Sequence, residues 1–340
     1  MMTKKQKVSI LTGVNGMDGS ILAEKLLAKG HKVIGVDRWH ATGESPNVKG
    51  FVDNNNFKME TGDITEESFM YRIINDNQAD YFYNMSAISL VPESFKIPKT
   101  VFAINAIAVN YMLETIKTYS PHTRFYQAST SEQIGENTDY PQNDDSKMRP
   151  NSPYAIAKLS SYHMVRCYRK AFGIFAVNGM LWNHEGPRRG PTFVTRKVTL
   201  HVTNQVATGD KTPLQIGNLD AYRDWGLAND FCDAIILMME ADEPSDYSVN
   251  TGEAHSIREL IEEAYSCVGV DVVWEGEGKD EKGYDEKTGE LLVEVNEKWY
   301  RPVEVPYLHG DHSKIKEKLG WEPKTKFKEL IKMMIEADLE

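Results

Sequence analysis

Val8-Ser9-Ile10-Leu11-Thr12-Gly13-Val14-Asn15-Gly16-Met17-Asp18-Gly19 is the stretch on which the fold turns. Residues 8–11 read as a short buried strand. Over residues 19–29, Ile21, Leu22, Leu26 and Leu27 return to one face, as in a helix. Between the two, glycines stand at 13, 16 and 19. Glycine lets the backbone turn sharply and lie close to a ligand. A helix N-terminus adds free N–H groups and the positive end of its dipole. Strand, glycine turn and helix together therefore make a cradle for a pyrophosphate, and the position of the triplet favours that use over a plain turn.

Outward from this stretch the pattern repeats. Residues 32–36 form the next strand, and residues 57–60, 81–84 and 124–127 read as three more. Helical segments at 66–75 and 105–118 separate them. Strands alternating with helices imply a parallel, doubly wound sheet, an α/β fold. Residues 274–301 are rich in Gly, Glu, Asp and Lys, yet Trp274, Leu291, Val293, Trp299 and Tyr300 are spaced through them, which favours an ordered hairpin or long loop. The expected organisation is residues 1–182 mainly as the dinucleotide-binding part and residues 183–340 mainly as a smaller α/β substrate part, with some chain crossing back.

Bulk properties narrow the class. Lys and Arg total 39 against 50 Asp and Glu, a formal charge of -11, which argues against a general nucleic-acid binder. A small anionic substrate stays open, because a few focused arginines hold a phosphate whatever the global sign. Cys167, Cys232 and Cys267 form no CxxC pair and read as reduced thiols. Neither a signal-peptide core nor a run of about 20 apolar residues is present, so the expectation is a cytoplasmic protein with no membrane partner.

The second strand runs into Val36-Asp37-Arg38-Trp39. An acid there bonds the adenosine ribose and favours NAD, whereas an arginine receives the 2′-phosphate of NADP. Asp37 and Arg38 leave both cofactors open. Asp63, after the third strand, is balanced between an adenine contact and a loop cap.

Tyr154 and Lys158 follow Asn151-Ser152-Pro153. Ser152 suits a helix N-cap and Pro153 the first helical position, which puts Tyr154 in the first turn and Lys158 one turn on, along the same face. Among the 16 tyrosines only Tyr154 has a lysine four positions later, so the pair stands out from background. A free phenol titrates at about 10, so a base working near neutrality needs a downward shift of about 3 units, or about 4 kcal/mol. A neighbouring ammonium, an oxidised nicotinamide and a helix N-terminus all act in that direction. Thr130 and Glu132 sit just past the strand at 124–128, where open sheets place ligands. Simple hydride transfer needs one base, so a carboxylate beside a tyrosine points to a second proton movement.

These stretches carry a resemblance. Arg124-Phe125-Tyr126-Gln127-Ala128-Ser129-Thr130-Ser131-Glu132, Asn183-His184-Glu185 with Pro187-Arg188-Arg189-Gly190, Phe193-Val194-Thr195-Arg196-Lys197, Arg223-Asp224-Trp225-Gly226, and Arg301-Pro302 with Glu304-Val305 all resemble the GDP-mannose 4,6-dehydratase family of extended short-chain dehydrogenases. The resemblance implies a Rossmann-type fold, NADP as cofactor, GDP-mannose as substrate and a homodimer or homotetramer. It implies catalysis by Thr130, Glu132, Tyr154 and Lys158. Cofactor contacts would come from Gly13, Asn15, Gly16, Met17, Asp18, Gly19, Arg38, Asp63, Ile64, Met85, Ser86, Ala87, Ser89, Tyr154, Lys158, His184 and Arg189. Substrate contacts would come from Glu132, Asn183, Lys197, Arg223, Arg301 and Glu304. A dTDP-glucose dehydratase is the first rival, but Ser131 stands where that branch has an Asp. A 4-epimerase needs no base like Glu132, and a cofactor-sensing protein without chemistry needs neither Tyr154 nor Lys158.

Overall fold

The computed structural model describes residues 5–39, 45–300, 303 and 305–340. Its strands are β1 (Val8–Thr12), β2 (Lys32–Asp37), β3 (Phe57–Thr61), β4 (Tyr81–Asn84), β5 (Arg124–Thr130), β6 (Ala176–Leu181), β7 (Asn183–Glu185), β8 (Leu214–Ile216), β9 (Tyr222–Arg223), β10 (Trp225–Leu227), β11 (Tyr247–Val249), β12 (His255–Ser256), β13 (Val272–Glu275), β14 (Lys282–Asp285) and β15 (Leu291–Val295). The helices are α1 (Met17–Ala28), α2 (Glu67–Asn77), α3 (Val91–Ser94), α4 (Pro98–Phe102), α5 (Ala108–Tyr119), α6 (Pro153–Phe172), α7 (Val194–Thr208), α8 (Ala228–Glu240), α9 (Ile257–Ser266), α10 (Ser313–Leu319) and α11 (Phe327–Leu339).

Seven parallel strands form the central sheet in the order β11-β6-β5-β4-β1-β2-β3. Apolar side chains align across it: Ile10 pairs with Ile34 and Phe82, and Phe82 with Phe125. Two buried clusters cover its faces, one around Leu11, Leu22, Tyr126 and Phe231, the other around Ile10, Phe82, Met112 and Phe125. Burial on both faces is what a parallel sheet requires. Strand order reverses at β1, which has β2 on one side and β4 on the other. That is the switch point where such sheets open a crevice at their strand C-termini.

The five strands and three helices read from the sequence are all present, with adjusted ends. Helix α1 begins at Met17 rather than Gly19, because Gly16 already serves as its N-cap. The segment read as one helix over 105–118 opens with a wide π turn at Ala103–Ile107 before α5. Residues 272–295 form the antiparallel run β13-β14-β15, joined to β8 in parallel. This small sheet packs over its own core with Leu214, Ile216, Leu260, Val293 and Leu330. Arg196 of α7 is ion-paired with the buried Asp338 of α11, tying the last helix to this part.

Candidate active site

A cleft of about 570 Å³ opens at the C-terminal ends of β1, β4 and β5. Its floor is the glycine turn. Gly13 has a φ of +72°, in the left-handed region that favours glycine. A Cβ on Gly19 would stand 2.2 Å from the Gly13 carbonyl oxygen, so helix and strand can approach this closely only without one. Among the described residues no side chain caps α1, and its first turn lines the cleft. Asn15 Oδ1 and Asp18 Oδ1 are buried there with no hydrogen-bond partner among the described residues. An uncapped helix end over a glycine cradle, with buried polar atoms left over, fits the phosphates and hydroxyls of a dinucleotide.

Asp37 accepts from the backbone N–H of Asn15 at 2.9 Å and from that of Arg38 at 2.8 Å, so the carboxylate at the end of β2 braces the turn itself. The exposed Arg38 side chain lines the cleft beside it. Asp63 caps the turn before α2, accepting from Thr65 N at 2.9 Å and Thr65 Oγ1 at 2.8 Å, and it also lines the cleft.

Helix α6 carries the pair read from the sequence. Ser152 Oγ accepts from Ala155 N at 3.1 Å, Pro153 occupies the first turn, and Gly173 ends the helix in the left-handed region. Tyr154 and Lys158 fall on its buried face, 7% and 3% exposed. Lys158 Nζ donates to the Ala128 carbonyl at 2.9 Å. Opposite, β5 ends in Thr130, whose Oγ1 accepts from the Glu132 N–H at 3.2 Å, so the short turn that follows places Glu132 in the same cleft.

Burial dominates the electrostatics. It pushes the Tyr154 phenol up to about 12, with the Glu132 carboxylate adding to the rise while the Thr130 hydroxyl and Arg189 oppose it. It pulls Lys158 down to about 8 against the opposing field of Asp18. The downward shift expected for the phenol is therefore not made by the chain alone. Desolvation outweighs the Thr130 hydroxyl and Arg189, while the Lys158 ammonium donates to a backbone carbonyl.

A second charged pair spans the cleft. His184 Nε2 lies 2.9 Å from Asp18 Oδ2, and His184 Nδ1 lies 2.8 Å from the Trp182 carbonyl oxygen. Burial disfavours both charges, yet each charge stabilises the other. His184 ends above its ordinary value and Asp18, helped by Arg189 and Lys158, below its own.

Every residue expected to touch the cofactor lines this cleft, as do all four expected catalytic residues and Asn183. Lys197 and Arg223 are not on its wall. Lys197 donates to the Gln215 carbonyl at 2.6 Å and lies over the Trp299 ring, and burial with the nearby Lys298 pulls it to about 8. Arg223 is 4% exposed and donates to the carbonyls of Tyr222 and Val305. Arg301 and Glu304 lie outside the described residues. One contributor escaped the sequence reading: Asn105, in the π turn, accepts from Ile88 N at 3.0 Å and donates to Ile88 O at 2.9 Å, pinning the cleft wall. A polar residue on an otherwise apolar helical face was its only signal.

A parallel sheet in this order, a glycine turn, and a Tyr–Lys pair facing it across one cleft define a short-chain dehydrogenase/reductase, an enzyme class built around a nicotinamide dinucleotide. Over residues 10–334 the chain matches the family model described as GDP-mannose 4,6 dehydratase. It is 41% identical to the GDP-mannose 4,6 dehydratase of Cricetulus griseus over 99% of this chain and 92% of that one. It is 40% identical to that of Homo sapiens over 100% and 93%, and 40% identical to that of Vibrio cholerae over 98% and 94%. Among solved structures, UDP-glucose 4-epimerase from Thermotoga maritima superposes with a TM-score of 0.83 at 24% identity, covering 97% of this chain and 98% of that one. A dTDP-glucose 4,6-dehydratase from Bacillus anthracis, in complex with NAD, gives 0.80 at 22%, covering 97% and 96%; at these identities the likeness is one of fold. The chain belongs to the GDP-mannose 4,6-dehydratase family.

Proposed function

We propose that this chain converts GDP-mannose to GDP-4-keto-6-deoxy-mannose and water, with NADP as a cofactor that ends each turnover unchanged. The observation that carries this reading is the convergence of Thr130, Glu132, Tyr154 and Lys158 on one cleft with the glycine turn. The glycine turn at Gly13, Gly16 and Gly19 with Tyr154 and Lys158 would hold a nicotinamide dinucleotide, which would supply reversible hydride transfer, out from C4 of the sugar and back at C6. The chain's own residues handle protons. Thr130 orients the 4-hydroxyl, and Tyr154 accepts its proton once the charge of the oxidised ring offsets the burial that keeps the phenol near 12. The 4-ketone acidifies C5. Glu132 takes the C5 proton and passes it to the departing 6-hydroxyl, which leaves as water, and the proton held by Tyr154 returns to C5.

NADP is favoured over NAD because Asp37 is engaged by two backbone N–H groups while Arg38 is presented to the cleft. His184 and Arg189 would hold the cofactor from the far side. Asn183 would meet the sugar end of the substrate. Lys197 and Arg223, beyond the cleft wall, would take its diphosphate, with Arg301 and Glu304 completing the set. Residues 1–182 would thus serve mainly the cofactor and residues 183–340 mainly the substrate. A homodimer or homotetramer is supported by the half-exposed Ile107 and Ile156. A cytoplasmic location accords with the described helices, none of which is long and apolar enough to cross a membrane.

One incubation tests the reading. GDP-mannose with trace NADP should lose the mass of one water, with no net reduced cofactor. Unchanged GDP-mannose, with dTDP-glucose consumed in its place, overturns the substrate.

A further inference from the structure

Strands buried on both faces of a parallel sheet read as near-continuous apolar runs. One rung of this sheet breaks the pattern. Thr12 pairs in register with Asn84, Asn84 with Gln127, and Gln127 with Asn178, so four adjacent strands carry a polar side chain at the same level. Three of the four have no exposed surface and Gln127 has 1%. Asn178 turns away to Asp246 and the Tyr162 carbonyl.

The other three are joined. The Ser86 N–H donates to Thr12 Oγ1 at 3.4 Å, Thr12 Oγ1 to Asn84 Oδ1 at 2.7 Å, Asn84 Nδ2 to Gln127 Oε1 at 2.8 Å, and Gln127 Nε2 to the Ala128 carbonyl at 2.8 Å. That carbonyl is the one to which Lys158 donates. The chain begins on a backbone N–H, which only donates, and ends on a carbonyl, which only accepts, so both amide orientations follow from its ends. Buried polar groups are tolerated only when bonded, and an apolar rung would meet the needs of the sheet with less.

We propose that Gln127, backed by Asn84 and Thr12, is a positioning residue for Lys158. A lysine ammonium sits on a flexible stem and goes where its donors are received. A carbonyl has two lone pairs. Gln127 Nε2 occupies one and leaves the other to Lys158, which fixes where the two remaining ammonium protons point into the cleft. The same chain reaches back through Thr12 to Ser86, so the lysine and the opposite cleft wall share one frame. This inference rests on the role given to Lys158 under the proposed function.

The test is a cycle of variants in the full-length protein. Gln127→Met keeps the size and removes both bonds. It should lower kcat about tenfold, the worth of one buried hydrogen bond, with KM for GDP-mannose within twofold. Thr12→Val should cost about threefold and Thr12→Ser should restore the rate. The double variant Gln127→Met/Thr12→Val should be no slower than Gln127→Met alone, because the chain is already cut. The Lys158 ¹⁵Nζ signal, assigned by its loss in Lys158→Arg, should move in both single variants. Losses that multiply, an unmoved Lys158 signal, or lower melting temperature at unchanged kcat each overturn the proposal. If the wild type fails to dehydrate GDP-mannose, the proposed function falls, and the Lys158 signal by itself decides this inference.

Discussion

Removing His184 from its pair with Asp18 should cost more than removing both residues together. At 2.9 Å the gross attraction is about 6 kcal/mol for an effective dielectric near 20. Desolvation offsets part of it, and breaking a buried pair from one side typically costs about 3–5 kcal/mol because the orphaned charge stays buried. His184→Gln should therefore lower unfolding free energy by about 3 kcal/mol, and Asp18→Asn/His184→Gln by less than that single loss, because no charge is then orphaned. The effect has a pH window. The raised pKa of His184 means its contribution is complete below the ordinary 6.5 and fades as pH climbs through the folded value. The lowered pKa of Asp18 means its contribution is complete above the ordinary 3.8 and fades as pH drops through the folded value. The gap between wild type and His184→Gln should thus be widest between 3.8 and 6.5 and shrink toward alkaline pH. Urea unfolding of cofactor-free protein across pH 4–9 measures it. A gap under about 1 kcal/mol, or one that widens above neutrality, refutes the reasoning.

Three further outcomes follow from the cleft. Glu132→Gln should still bind NADP while kcat drops about 10²–10⁴-fold, and full dehydration by that variant would remove Glu132 from the mechanism. Gly19→Ala forces a methyl to 2.2 Å from a backbone oxygen, so calorimetry should show cofactor affinity at least about tenfold weaker; wild-type affinity would mean that the turn holds no phosphate. Arg38→Ala should weaken NADP about tenfold and leave NAD within about twofold, as expected for loss of a charge-assisted contact; equal losses for both would detach Arg38 from the 2′-phosphate.

The parts of this protein that sequence exposes are those encoded by neighbours. Gly13, Gly16 and Gly19, and Ser152 with Pro153 before Tyr154, declare a turn and a helix start within a few residues. The sheet follows from alternation alone. What stays hidden is set by tertiary placement. Tyr154 reads as an acidified phenol until its burial is known, and then its shift reverses direction. Asn105 sits in a helical pattern whose widened turn only packing reveals. The bonding of Thr12, Asn84 and Gln127 needs the register of three strands separated by more than forty residues in the chain. Lys197 and Arg223 come from motifs, and a motif names residue types without saying which wall they stand on.

The last strand of the central sheet, β11, comes from residues 247–249, well past the point where the other six are complete. During synthesis β6 must wait beside an open flank, with Ala176, Val177, Met180 and Leu181 and its unmet backbone groups available to any passing strand. A ribosome pausing between these two strands would hold a nascent chain prone to clumping, and a fragment cut at residue 182 would inherit the same hazard. Soluble expression of residues 1–182 therefore depends on supplying a short strand that lies, by sequence position, at residues 247–249.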